Sequence, residues 1–278
     1  MPVATSPAAA QAGAADPASA LKRQLRNEHG VRISETNRYS FGKESKVSGT
    51  GTRISGSLQL APPGPVAADF TWWDLSRPRA DGLPSKKPDP YRVIRVGKDV
   101  YDDDGRYPGP VPEGKKWIRF PNNHRGGMAQ DMAQDASLQP INVYEPSMMK
   151  TVLKRSTSTP VSGGHLYRGT MSYEELSKVF KGAFINWTSG KPIDGKSKGK
   201  ISWRLWTDRD GLLKRLITSD TAGVGKDPLV KWSDTRYTGW GFHLAIAAPP
   251  ADEVIDEDDL LEYVRTQNTP IPTDAGNT

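Results

Sequence analysis

A chain of 278 residues with eight Trp and nine Tyr is long enough to bury a core and rich in bulky packing units, although only 35% of it is hydrophobic. It contains no cysteine, which excludes disulfides, thiolate zinc sites, cysteine nucleophiles and cysteine-linked lipid, and no run of about 18 apolar residues that would cross a bilayer as a helix. The net charge of +6 is unevenly spread: Asp252, Glu253, Asp256, Glu257, Asp258, Asp259, Glu262 and Asp274 against Arg265 give residues 252–274 a net of −7, leaving +13 on the rest. A basic body with an acidic end suits an anionic surface or polymer; two solvated faces are the plainer explanation.

Residues 1–17 are Ala-, Pro- and Ser-rich and read as a disordered leader. Ala10-Gln11-Ala12 has the small-x-small pattern of a signal-peptidase site. A secretory signal upstream of Met1 and a plain Ala-rich linker both account for it. Leu21 and Leu25, four apart among good helix formers and followed by Gly30, predict a short amphipathic helix over 18–29. Strand-like stretches follow at 31–41, 46–60 and 67–75, punctuated by glycines and by Pro62-Pro63-Gly64-Pro65. Residues 76–90 read as a surface loop, 91–96 and 98–101 as a hairpin about Gly97-Lys98, and 116–120 as a return to the sheet.

Residues 121–140 carry no assignable pattern. Val143, Met148, Val152 and Leu153 then form an apolar helical stripe after Pro140, ending in the Ser/Thr-rich run 156–159. A strand at 165–171 feeds a second helix, announced by the capping box Ser172–Glu175, with Leu176, Val179 and Phe180 on its apolar face and Gly182 as its stop. Residues 201–206 and 212–217 flank Thr207-Asp208-Arg209-Asp210-Gly211, a β-hairpin closed by a left-handed glycine. Two more strands, 230–238 and 242–247, are joined by Gly239-Trp240-Gly241, and Pro249-Pro250 ends the sheet before an acidic tail over 255–278. The fold class read from this pattern is α+β, a mostly antiparallel sheet with helices packed on it, forming one domain over 18–254.

The string Trp203-x-Leu205-Trp206-x-Asp208-x-Asp210-Gly211-Leu212, then Tyr237-Thr238-Gly239-Trp240-Gly241 and Ala248-Pro249-Pro250-Ala251-Asp252-Glu253-Val254, resembles the C-terminal end of actinobacterial LppX/LprAFG-type lipoproteins of the LolA superfamily. The resemblance is good over 160–254 and weaker over 20–155. It implies a curved half-barrel sheet around a cavity roofed by helices on its concave side, and a carrier or sensor of a lipid or other hydrophobic ligand outside the cytoplasm, in the cell envelope. No lipobox cysteine is present, and residues 76–90 and 183–200 look like insertions, so anchoring departs from that pattern.

The remaining chemistry is sparse. His29, His124, His165 and His243 show no metal-ligand spacing, and Asp102-Asp103-Asp104-Gly105 lacks the alternation and distal Glu of a calcium loop. There is no GxSxG, P-loop or GxGxxG; Ser162 near His165 is explained by a Gly-Gly turn. Aromatics interleaved with Arg and Lys at 203–209 and 231–237 read as cross-strand packing before nucleic-acid stacking. The expectation is therefore a monomeric, non-enzymatic binding protein that uses no cofactor, metal or nucleic acid. The candidates for lining its cavity are Met148, Val152, Leu176 and Phe180 from the helices and Trp203, Leu205, Leu216 and Ile217 from the sheet. The same side chains could simply fill the core. An interaction or regulatory protein acting through its basic surface or acidic tail, with an envelope protein or anionic polymer as partner, is the alternative.

Overall fold

The computed structural model describes residues 15–41, 51–75, 90–103, 109–121, 137–179, 185–186, 191–192, 194, 196–222 and 229–268. In chain order these form α1 (Pro17–Gln24), β1 (His29–Phe41), β2 (Gly51–Ala61), β3 (Gly64–Leu75), β4 (Tyr91–Val96), β5 (Asp99–Asp103), β6 (Trp117–Pro121), α2 (Pro146–Lys154), β7 (Thr157–Val161), β8 (Gly164–Ser172), α3 (Tyr173–Val179), β9 (Ile185–Asn186), β10 (Lys191–Pro192), β11 (Gly199–Asp208), β12 (Leu213–Ala222), β13 (Leu229–His243), β14 (Val254–Asp256) and α4 (Glu257–Asn268). Twelve strands make one curved, open sheet in the order β14-β6-β5-β4-β3-β2-β1-β13-β12-β11-β8-β7, antiparallel except for β14 on β6; β9 and β10 pair separately. The sheet is thus two meanders, β1 to β6 and β7 to β13, joined where the first long strand meets the last.

Local chemistry explains most of the boundaries. The Asp16 carboxylate accepts from the Ala18 and Ser19 amides and Pro17 opens the helix, so α1 starts at an N-cap. It stops at Gln24, shorter than the sequence predicts, and the chain turns through Glu28, at φ 58°, into β1. The capping box is as read: the Ser172 amide donates to Glu175 Oε2 at 3.0 Å and the Glu175 amide to Ser172 Oγ at 3.2 Å. The Asp208 carboxylate accepts from the amides of Asp210 and Leu212, and Gly211 at φ 80° closes the β11–β12 turn.

Three expectations need correction. Residues 230–247 do not hold two strands: β13 runs through Gly239-Trp240-Gly241, which form a bulge against β1 between the pairs Arg32–Thr238 and Gly30–Phe242. The run 156–159 does not only end α2; it opens the edge strand β7. Finally, the acidic segment set apart from the domain belongs to it over 255–268, because Val254–Asp256 adds a parallel strand to β6 and α4 packs Leu260 on Ile118 and Ile255. Periodicity is a poor guide to a three-residue strand whose partner lies 137 residues away.

The connection into β14 crosses seven strand positions from the end of β13. That traverse is on the order of 34 Å measured flat, and the eleven residues from His243 to Val254 reach about 36 Å at full extension. The strap has little slack: it carries no regular structure from Leu244 to Pro250 and holds one 3-10 turn at Ala251–Glu253 just before β14. It is pinned by Leu244 N to Glu28 O at 2.9 Å, Ile246 N to Gln59 Oε1 at 2.8 Å and Lys116 N to Glu253 O at 2.8 Å. Ile246 and Val254 pack against Ile94, Tyr101 and Trp117 on the convex face. Ile255→Ala, at a buried position, is predicted to cost about 2 kcal/mol in urea denaturation, whereas Asp256→Asn, which breaks only a half-exposed pair with Arg119, leaves the midpoint nearly unchanged.

Candidate functional site

Alternation sends every second residue of each strand to the concave side, and the register aligns them in rows. One row reads Tyr167, Leu205, Leu216, Thr235, Glu35, Ile54; the next reads Gly169, Trp203, Thr218, Ser233, Asn37, Thr52. A third carries Met171, Ile201, Asp220, Lys231 and Tyr39. The floor is apolar on β8 and β11 and polar on β13 and β1. Trp203 lies over Gly169, where any Cβ would sit 2.2 Å from the indole, and its Nε1 donates to Ser156 Oγ at 2.9 Å.

Glu35, with no exposed surface, is the centre of the polar half. Its carboxylate accepts from Asn37 Nδ2 at 2.8 Å, Thr235 Oγ1 at 2.6 Å, the Leu138 amide at 2.7 Å and Ser137 Oγ. Four donors stand in for the water lost on burial. The segment 137–139 lies over this floor: Gln139 Nε2 donates to Thr235 Oγ1 and Leu216 O, Gln139 Oε1 accepts from Thr218, and Leu138 O accepts from Lys231 Nζ at 2.8 Å. Tyr173 donates to Asp220 beside it, and burial with that carboxylate pushes the phenol upward. Asn37 Oδ1, Ser233 Oγ and the Tyr144 hydroxyl are buried without a hydrogen-bond partner among the described residues. Tyr144, Tyr237 and Trp240 form an aromatic trio with centroids 6.0–6.4 Å apart. Next to it a cleft lined by Pro17, Leu21, Val143, Met149, Leu213 and Trp240 has free space of about 10 Å³, that of one water.

Six of the predicted lining residues, Met148, Val152, Leu176, Trp203, Leu205 and Leu216, lie in the same core cluster between helices and sheet, none more than 3% exposed. None of the six lines the cleft. Ile217 is corrected to the convex face: it follows Leu216 in the strand, so the two cannot share a side, and it pairs with outward-facing Arg204 and Asp234. Phe180 lies outside the described residues. Sequence reasoning missed Glu35, Asn37, Ser233, Thr235 and Lys231 because they are polar residues at inward positions. On β13 periodicity even favours the wrong face, since Trp232 points out while Lys231 and Ser233 point in.

Among the described residues no three His, Asp or Glu side chains gather as a metal site, and no helix is long and apolar enough to cross a membrane. No protein-family model and no curated protein matches the chain. Among solved structures, a DUF1329 family protein from Desulfovibrio piger is similar over 83% of this chain and 92% of its own, at 9% identity and a TM-score of 0.28, a superposition too loose to bear on function.

Burial holds the Lys231 ammonium below its ordinary value of 10.5, with Asp220 and Glu35 opposing the shift. Over the window ending near that value the unfolded chain binds more protons than the folded one, so this group makes stability rise with pH. Burial pushes the Tyr144 and Tyr237 phenols well above 10.0, and there the sign reverses, because the folded state keeps protons that the unfolded one loses. Lys231→Met is predicted to flatten the rising arm of a stability–pH profile and to leave the fall above pH 10 in place. An unchanged rising arm would show that another group causes it.

Proposed function

We propose that the protein is a non-enzymatic carrier or sensor of an amphipathic lipid-like molecule in the cell envelope, bound on the concave side of the sheet under α1 and α2. The observation that carries this reading is the floor itself: an apolar half on β8 and β11 adjoins a polar half in which Asn37 Oδ1 and Ser233 Oγ, neighbours across β1 and β13, are buried and unpartnered among the described residues. A guest with an apolar body and a hydrogen-bonding head would satisfy both halves. Each CH₂ it buries contributes about 0.8 kcal/mol, so a chain of moderate length offsets the displacement of a short roof helix. The compartment and the lack of catalysis rest on the C-terminal motifs and on the absence of nucleophile–base signatures in the sequence.

The cleft beside Leu21 and Trp240 holds about one water, so a guest entering there requires α1, an eight-residue helix, to lift from the floor. Native mass spectrometry of the full chain purified without detergent is expected to show a co-purifying apolar adduct. After delipidation, monooleoylglycerol is expected to raise the melting temperature and to alter tryptophan emission from the Trp203 and Trp240 environment. Ligand-free protein in repeated preparations, together with no thermal shift from monooleoylglycerol, would falsify the carrier reading.

A further inference from the structure

The convex face is the reverse of the floor in charge. From β8 through β11, β12, β13 and β1 to β2 its outward positions include Arg168, Arg204, Arg215, Arg236, Arg38 and Arg53, while the acids at outward positions of these strands are Asp208 and Asp234. Both acids are engaged: Asp208 caps the β11–β12 turn, and both oxygens of Asp234 accept from Arg215, at 2.8 and 2.6 Å. Two of the arginine pairs face each other directly across the ladder, Arg168 opposite Arg204 and Arg215 opposite Arg236. Like charges in register destabilise a sheet; Arg215 is offset by Asp234, but Arg168, Arg204 and Arg236 form no ion pair among the described residues.

We infer that the convex face between β8 and β2 is a docking surface for a flexible linear polyanion with closely spaced phosphates. Guanidinium forks match such oxygens in bidentate fashion, and arginines on strands about 4.8 Å apart meet successive charges of a repeating chain. The curvature selects the form of the partner. A convex sheet touches a flat bilayer along one line, whereas a flexible chain follows the arc and reaches all six strands. Base stacking has no platform in Trp206 or Trp73, because the Arg215 and Arg53 guanidinium groups already cover these indoles at 5.3 and 5.4 Å from the ring centroids.

Long-chain inorganic polyphosphate titrated into the full chain is the probe, with tripolyphosphate and vesicles of phosphatidylglycerol in phosphatidylcholine as comparisons. Long polyphosphate is expected to bind with an affinity that falls steeply between 50 and about 200 mM salt, and at least tenfold more tightly than tripolyphosphate. Arg168→Gln combined with Arg236→Gln is expected to weaken binding at least tenfold while the urea midpoint stays level or rises, since each change removes a like-charge pair. Lys150→Gln combined with Lys154→Gln on α2 makes the same change in net charge away from this face and is expected to leave binding intact. Equal losses in the two double variants, or binding to vesicles without binding to polyphosphate, would overturn the inference.

Discussion

Everything in this sheet depends on the pairing of β1 with β13. Each meander is built from neighbours in sequence, but neither closes a core alone, and the seam between them joins residues about two hundred positions apart, as in the Thr235–Glu35 hydrogen bond. At that seam the chain places a buried carboxylate rather than a leucine. A buried charge is tolerable only with its full set of donors, so Glu35 requires Asn37 from its own strand, Thr235 from the other meander, and Ser137 and Leu138 from the covering segment. A register slip of one residue would send Glu35 to solvent and Ser34 or Thr36 into its place, leaving Thr235 and the Leu138 amide without their acceptor. The cluster thereby selects one alignment of the two halves, which apolar contacts alone would fix less sharply.

How far the sequence reveals this architecture depends on the range of the interaction that decides each element. Caps and tight turns are decided within four residues, so the Ser172–Glu175 box and the Asp208–Gly211 turn are legible and correct. The Gly239-Trp240-Gly241 bulge has the composition of a turn and becomes a bulge only because β1 continues alongside it. The Glu35 cluster lies at the far end of that scale. Its members are spread over β1, β12, β13 and the 137–139 segment, and each looks like an ordinary exposed polar residue. Only the register brings them together. Ile217 illustrates the converse, an apolar residue that two-residue alternation places outside once Leu216 is inside.

The open sheet also has two edges to protect. At one, β14 and α4 cover β6, with the Arg119–Asp256 pair and the Ile118, Ile255 and Leu260 contacts holding them in place. At the other, β7 is exposed along its whole length and carries no charge, a composition that invites pairing with another chain. Pro160 within it offers no amide, and with five residues the strand is short. Protection by a covering element at one edge and by brevity and proline at the other lets a twelve-stranded sheet stay open without closing into a barrel.

That openness gives the two faces different tasks. Polar groups on the concave side are removed from water, where an unmatched one costs about 1–3 kcal/mol, so the oxygens of Asn37 and Ser233, unpartnered among the described residues, need an explanation that the described side chains do not supply. On the convex side charges remain hydrated, and like-charged arginines in register cost little enough to persist. In both places the chain departs from what folding alone would choose, and the departures lie on opposite sides of the same strands: Ser233 and Thr235 point in, Asp234 and Arg236 point out.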